Sequence, residues 1–204
     1  MFEIFFKHVS ESEKKVMKKK VLIGLTCFFL PVLCACGNHL QDMGEDSAYV
    51  QAVEVLRAVS DTYTQDEQFA MYGGDQEHAV TDEPGTFDVN KTEEMEQVLG
   101  LPAEYVSNIA DAASMVHMMN GNVFTGAAYR LKDGVSQDDF AKAVQTALTE
   151  KQWICGQPDT MLVIDVDGTY VITAYGEAEM MDTFKTKAMN VFQDANILTE
   201  APIG

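Results

Sequence analysis

Basic residues are scarce in this chain: 14 Lys plus Arg stand against 32 Asp plus Glu in 204 residues, a formal net charge of −18. That balance argues against a nucleic-acid binder, because counterion release needs clustered Lys and Arg facing phosphate. Tryptophan occurs once and proline five times, so collagenous and Pro-rich classes fail on composition, while 47% apolar residues can build a core. The four cysteines, Cys27, Cys34, Cys36 and Cys155, are too few and too unevenly placed for a disulfide-rich scaffold. The most apolar stretch, Val21 to Leu30, ends at Pro31 and is too short to span a bilayer well. The length predicts one domain, or two small ones.

What is present at the N-terminus is an address. Lys18, Lys19 and Lys20 precede the apolar run, and Pro31-Val32-Leu33-Cys34-Ala35-Cys36 follows it, the order of a bacterial export signal. The end resembles a lipoprotein box, with Leu33 three residues and Ala35 one residue before the cysteine that would become the lipidated, palmitate-bearing first residue, Cys36. The alternatives are an ordinary secretory signal or a single membrane anchor. Residues 1–35 are therefore expected to be a signal peptide. Its true start is expected at Met17, because Glu13, Lys14 and Lys15 are encoded by purines alone, as a ribosome-binding site would be. Cleavage before Cys36 removes six Lys and three Glu, leaving 8 basic and 29 acidic residues and a net charge of −21. Cys155 is then the one cysteine without lipid or cleavage, so no intramolecular disulfide is expected. Beside Trp153 and Ile154 it reads as a buried small hydrophobe, the alternative being a reactive or pairing thiol.

Residues 36–47 read as the lipidated cysteine and a polar tether, and 48–204 as a single α+β domain. Tyr49, Val53, Leu56 and Val59 recur at helical spacing and predict a first helix over 48–62. Acids, Gly73-Gly74 and Pro84-Gly85 make about 65–91 a long acidic surface loop, followed by a short helix near Thr92 to Leu99 that Gly100 and Pro102 stop. Ala112 to Met119 and Asn122 to Leu131 flank Asn120-Gly121, a hairpin signal. A capping-box-like Ser136-Gln137-Asp138-Asp139 then opens a helix with Phe140, Ala143, Val144, Ala147 and Leu148 on one stripe. The pattern recurs: Met161 to Val166, Asp167-Gly168 and Thr169 to Tyr175 predict a second hairpin, and Met181, Phe184, Ala188, Val191 and Phe192 a second helix. Two hairpin-helix (ββα) units in one four-stranded antiparallel sheet, both helices on one face, preceded by one or two N-terminal helices, is the simplest packing.

The run Met161-Leu162-Val163-Ile164-Asp165-Val166-Asp167-Gly168-Thr169 resembles the first motif of haloacid-dehalogenase-type phosphatases. That resemblance implies Asp165 as nucleophile, Asp167 as acid and base, and magnesium held by both. Against it, only 35 residues follow for the remaining motifs, and Asp167-Gly168 already serves as a hairpin turn. An EF-hand reading of the same turn puts Val163 and Ala174 at ligand positions, and both fail. Met115, His117 and Met119 alternate as a soft copper(I) set would, yet alternating apolar residues are also what a sheet core needs. His39 and His78 lack partners at ligand spacing, a Cys155 and His117 pair rests on nothing in the sequence, and no phosphate loop or nucleophile elbow is present. The acid pairs Asp138 and Asp139, and Glu177 and Glu179, suit helix starts. No catalytic, cofactor-binding or metal-ligating residue is therefore assigned.

From about Tyr49 to Phe192 the chain resembles an uncharacterised family of small lipoproteins from clostridia and relatives, a domain of unknown function. The residues that carry the resemblance are Leu99-Gly100-Leu101-Pro102 with Glu104 to Val106, Ala127 to Lys132 with Asp133-Gly134-Val135, and Gly168-Thr169-Tyr170-Val171-Ile172. The resemblance implies a Gram-positive cell surface and no known activity, and it transfers no functional residue except Cys36. The expected function is a membrane-anchored extracytoplasmic lipoprotein acting as a non-enzymatic binding or accessory module, held to the membrane at Cys36 and suited by its charge to a cationic ligand or a basic protein partner. The competing expectation is a phosphatase-like hydrolase using Asp165 and Asp167 with magnesium. A sheet face left open by the helices, with Phe124 and Arg130 on it, is the expected binding surface.

Overall fold

The computed structural model describes residues 47–204; Met17, the signal, Cys36, His39 and most of the tether lie outside the described residues. Five helices and eight strands form an α+β domain: α1 Ala52–Ser60, β1 Met71–Gly73, β2 Val80–Thr81, β3 Gly85–Phe87, α2 Thr92–Leu99, α3 Ala103–Val106, β4 Ile109–His117, β5 Phe124–Leu131, α4 Gln137–Glu150, β6 Thr160–Asp165, β7 Tyr170–Gly176, α5 Ala178–Val191 and β8 Asn196–Pro202. The sheet is antiparallel and runs β2-β1-β4-β5-β7-β6-β8, with β3 also pairing with β4. It thus has eight strands where the sequence predicts four. The additional ones are the edge strand β8 and three short strands inside the stretch read as a loop.

The helices cover both faces of the sheet, not one. Phe184 and Ala188 of α5 pack with Leu56 and Val59 of α1 against Ala113, Phe124, Ile164 and Ile172. Phe140, Val144 and Leu148 of α4 pack with Met95 and Leu99 of α2 against Tyr129, Val163 and Val171 on the opposite face. The strand order accounts for this. Helix α4 carries the chain from β5 past β7 to β6, and α5 carries it from β7 past β6 to β8. Both crossovers step two strands in the same direction but leave from oppositely directed strands, so crossovers of one hand must use opposite faces. Every residue of β7 is buried, as a central strand covered on both sides requires. No open face remains for Phe124 and Arg130: Phe124 is fully buried and Arg130 half-buried at the strand end.

The turns differ from one another. Gly168 takes φ 79° in the β6–β7 turn, closed by the Val166 amide donating to the Tyr170 carbonyl at 2.9 Å. The Asn120-Gly121 pair does not make a two-residue turn. Six residues separate His117 from Phe124, and Asn120 Oδ1 accepts from the Asn122 amide at 2.9 Å. Among the described residues, no helix is long and apolar enough to cross a membrane.

Candidate functional site

The segment from 62 to 91 is built around one crossing. β1 pairs with the C-terminal end of β4 (Met71 opposite His117) and β3 with its middle (Gly85 opposite Ser114, Phe87 opposite Ala112), so the chain leaves and rejoins the same edge. The buried Ser114 hydroxyl accepts from the Gly74 amide at 2.9 Å. Below the crossing, Asp75 is 2% exposed, yet its carboxylate is fully used, accepting from the amides of Glu77 (3.0 Å), His78 (3.3 Å) and Asp88 (3.1 Å) and contacting His78 Nδ1 at 3.0 Å. Burial pushes the Asp75 carboxyl up, but the hydrogen bonds from His78, Asp88 and Glu77 outweigh it and hold the group below its ordinary value.

Above the crossing lies a cleft of about 720 Å³ between the C-terminal end of α1 and the β2–β3 connection. Its apolar wall is Tyr63, Phe69 and Met71, with Tyr63 and Phe69 ring centroids 6.1 Å apart. Phe69 is held from behind by a stacked His117 ring at 5.6 Å and an edge-on Phe124 at 5.5 Å. Burial raises the Tyr63 phenol, with the Glu67 charge adding to it, so it stays neutral. The polar rim holds Arg57 and Asp61 from α1 and its cap, and Asp82 and Glu83 from the facing turn. Arg57 pairs with Glu83 at 3.4 Å. Asp61 and Asp82 make no ion pair or side-chain hydrogen bond among the described residues. Asp82 stands at φ 60°, a left-handed conformation that Asp tolerates better than most residues, and donates its amide to the Met71 carbonyl at 2.9 Å.

The lip that brings Phe69 to the wall is pinned by Glu67. Its carboxylate pairs with Lys187 of α5 at 2.7 Å and accepts from the Thr64 amide (2.7 Å) and hydroxyl (2.9 Å). The hydrogen bond from Lys187, followed by those from Thr64, lowers the Glu67 carboxyl to about 2. Lys187 also donates to the Thr62 carbonyl at 3.1 Å, fixing both sides of the lip to α5.

No protein-family model, no curated protein and no solved structure matches this chain. The site therefore rests on its own chemistry.

The residues singled out by sequence fall elsewhere. Asp165 accepts from the Gly168 amide at 2.7 Å; Asp167 accepts from the amides of Thr169 (3.0 Å) and Tyr170 (3.2 Å) and from the Ser47 hydroxyl (2.6 Å). Both carboxylates are thus committed to their own turn. Met115 is fully buried, whereas Met119 lies beyond the strand and is 82% exposed, so the alternation with His117 does not extend to it. Cys155 is exposed, correcting the expectation of burial: it sits at φ 65° beside an 80% exposed Ile154, in a loop held off the core by Asn122 Nδ2 donating to the Ile154 and Gly156 carbonyls. His78 is partnered by Asp75, the residue directly after Gly73-Gly74. Among the described residues no three His, Cys, Asp or Glu side chains converge to hold a metal ion. Sequence reading missed the cleft residues Tyr63, Phe69, Asp61 and Asp82. The signal that could have found them is the apolar triplet Phe69-Ala70-Met71 embedded in an acidic loop, a strand-like run with no other reason to be apolar.

Proposed function

We propose that the mature chain is a membrane-anchored extracytoplasmic lipoprotein, non-enzymatic, whose domain captures a cationic ligand or basic partner in the cleft beside α1. The observation that carries the reading is the contrast among acids. Asp75, Asp111, Asp165 and Asp167 all bind backbone amides of the fold, whereas Asp61 and Asp82 border a cavity and serve no such contact. The signal-like N-terminus, the lipoprotein box at Cys36 and the resemblance to small clostridial lipoproteins support the location on the outer side of a Gram-positive membrane. The geometry of the domain agrees with such a mount. Ser47 is tied to the β6–β7 turn and α1 starts there, with Asp111 of β4 accepting from the Ala52 amide at 2.6 Å. The cleft lies at the other end of α1 from Ser47, beside the C-terminal end of β4.

The same reading takes the stretches β4-β5-α4 and β6-β7-α5 as one hairpin-helix unit used twice, supported by the antiparallel strand pair and following helix in each. Its exported location is tested by fractionating cells that express the chain and labelling with palmitate: wild type is expected in the membrane with label, and Cys36→Ala without label and released. A wild-type chain that stays unlabelled in the cytosol rejects the location. Capture is tested by thermal shift of the full chain, because a ligand of the native state raises its apparent stability. Protection by a cation that Phe69→Ala removes supports the cleft.

A further inference from the structure

The cleft's walls specify more than its charge, and the class of occupant they select rests on the reading of the cleft as the ligand site. Three features narrow that class. The cavity, about 720 Å³, is in the range of sites for small organic molecules and far larger than one ion needs. Its apolar wall is aromatic, with Tyr63 and Phe69 among the lining residues, a composition that suits a cation as well as apolar carbon. Its rim holds three carboxylates, Asp61, Asp82 and Glu83, against one guanidinium, Arg57, and that guanidinium is paired with Glu83. The two remaining carboxylates make no ion pair among the described residues, and no group of three His, Cys, Asp or Glu that could hold a metal exists among them. An inorganic divalent ion would therefore find too few converging ligands, and an organic anion would meet like charge.

We infer that the cleft binds a small organic ammonium with an apolar or aromatic body: the body lies on Tyr63, Phe69 and Met71, and the charged nitrogen sits between Asp61 and Asp82. The Arg57–Glu83 pair links α1 to the β2–β3 connection at the cleft's rim. A neutral molecule of the same shape would gain the apolar contact alone, and an anion would lose more than that contact supplies. The selectivity is for charge first and body second.

The test uses three probes that share one body, 2-phenylethylammonium, 2-phenylethanol and phenylacetate, titrated calorimetrically into the full chain in detergent at low salt. The cation is expected to bind at least tenfold more tightly than the alcohol, with no detectable heat from phenylacetate. Raising salt is expected to weaken the cation and leave the alcohol unchanged. The double variant Asp61→Asn, Asp82→Asn is expected to remove the tenfold preference while keeping the fold, since both side chains are exposed and Asn also accepts the left-handed backbone at position 82. Phe69→Leu is expected to weaken cation and alcohol together. Equal affinity for cation and alcohol, both lost in Phe69→Leu, overturns the ammonium class and leaves the cleft as a site for neutral ligands. Cation binding that neither variant alters overturns both the class and the cleft. Absence of binding by all three probes overturns the class as stated.

Discussion

Gly73 and Gly85 cross so closely that neither has room for a side chain: a methyl group on Gly85 would stand 2.7 Å from the Gly73 carbonyl oxygen and 2.7 Å from the Gly74 nitrogen. The obstructing atoms are backbone, and the Gly74 amide is bonded to the Ser114 hydroxyl of β4 while Gly85 pairs with Ser114 in the sheet, so they cannot move aside as a flexible side chain would. Gly85→Ala is therefore expected to destabilise the domain by about 3 kcal/mol, read as a lower urea midpoint. Because the crossing also positions the β2–β3 connection, the variant is expected to lose the proposed cleft binding at temperatures where it is still folded. A midpoint within about 0.5 kcal/mol of wild type would show that the crossing is looser than described.

Ser114 holds the same crossing from below. Its fully buried hydroxyl accepts from the Gly74 amide at 2.9 Å. Ser114→Ala leaves that amide without a partner in a dry site, at a cost of about 1–3 kcal/mol. Ser114→Cys, with a weak acceptor of similar size, should recover part of it. Urea midpoints of the three chains in one buffer check the order Ser, Cys, Ala.

Acid should loosen the lip before it unfolds the core. Glu67 is lowered from 4.5 to about 2 in the folded chain, so its pairing contributes stability that is fully present above 4.5 and is lost as the pH falls through the folded value. Asp75 is depressed too and acts in the same direction. Amide exchange measured between pH 5 and pH 2 is expected to rise first for 62–69, with Lys187→Met showing the raised exchange already at pH 5. If exchange in 62–69 is unaffected by Lys187→Met, the ion pair does not hold the lip.

The helices and central hairpins were legible because their signals are local. Phe140, Val144 and Leu148 fall on one helical stripe whatever the rest of the chain does, and all three are buried as that stripe predicts. What was not legible depends on pairing at a distance. The strands β1, β2 and β3 have only two or three residues each, too few for an alternation to register, and they exist because β4 offers an unpaired edge to both Met71 and Gly85. The face that each crossing helix uses follows from interleaved strand order, which no window of sequence contains. The cleft was hidden for the same reason: Asp61 and Asp82 lie on separate segments and line one cleft only in the folded chain. Asp165 and Asp167, by contrast, looked chemical because a catalytic aspartate motif and a tight acidic turn use the same residues.

Asp167 gives the last prediction, because its carboxylate has a definite structural job. It accepts from two amides of its own turn and from the Ser47 hydroxyl, 120 residues away in sequence, so it ties the start of the domain to the β6–β7 hairpin. Asp167→Ala removes three acceptor contacts of a charged group and is expected to cost about 2 kcal/mol. Ser47→Ala removes one of them and should cost less than about 1 kcal/mol. In a double-mutant cycle the pair should therefore show a coupling of a few tenths of a kcal/mol or more. Ligand binding at the cleft, at the other end of α1, is expected to be unchanged in both variants once temperature is set below their melting. The competing role for Asp165 and Asp167, holding magnesium and attacking phosphorus, makes the opposite forecast: magnesium would raise Tm in wild type and not in Asp165→Asn, and Asp167→Ala would gain stability from relieved carboxylate repulsion. Thermal melts of wild type, Asp165→Asn and Asp167→Ala with and without magnesium separate the two roles.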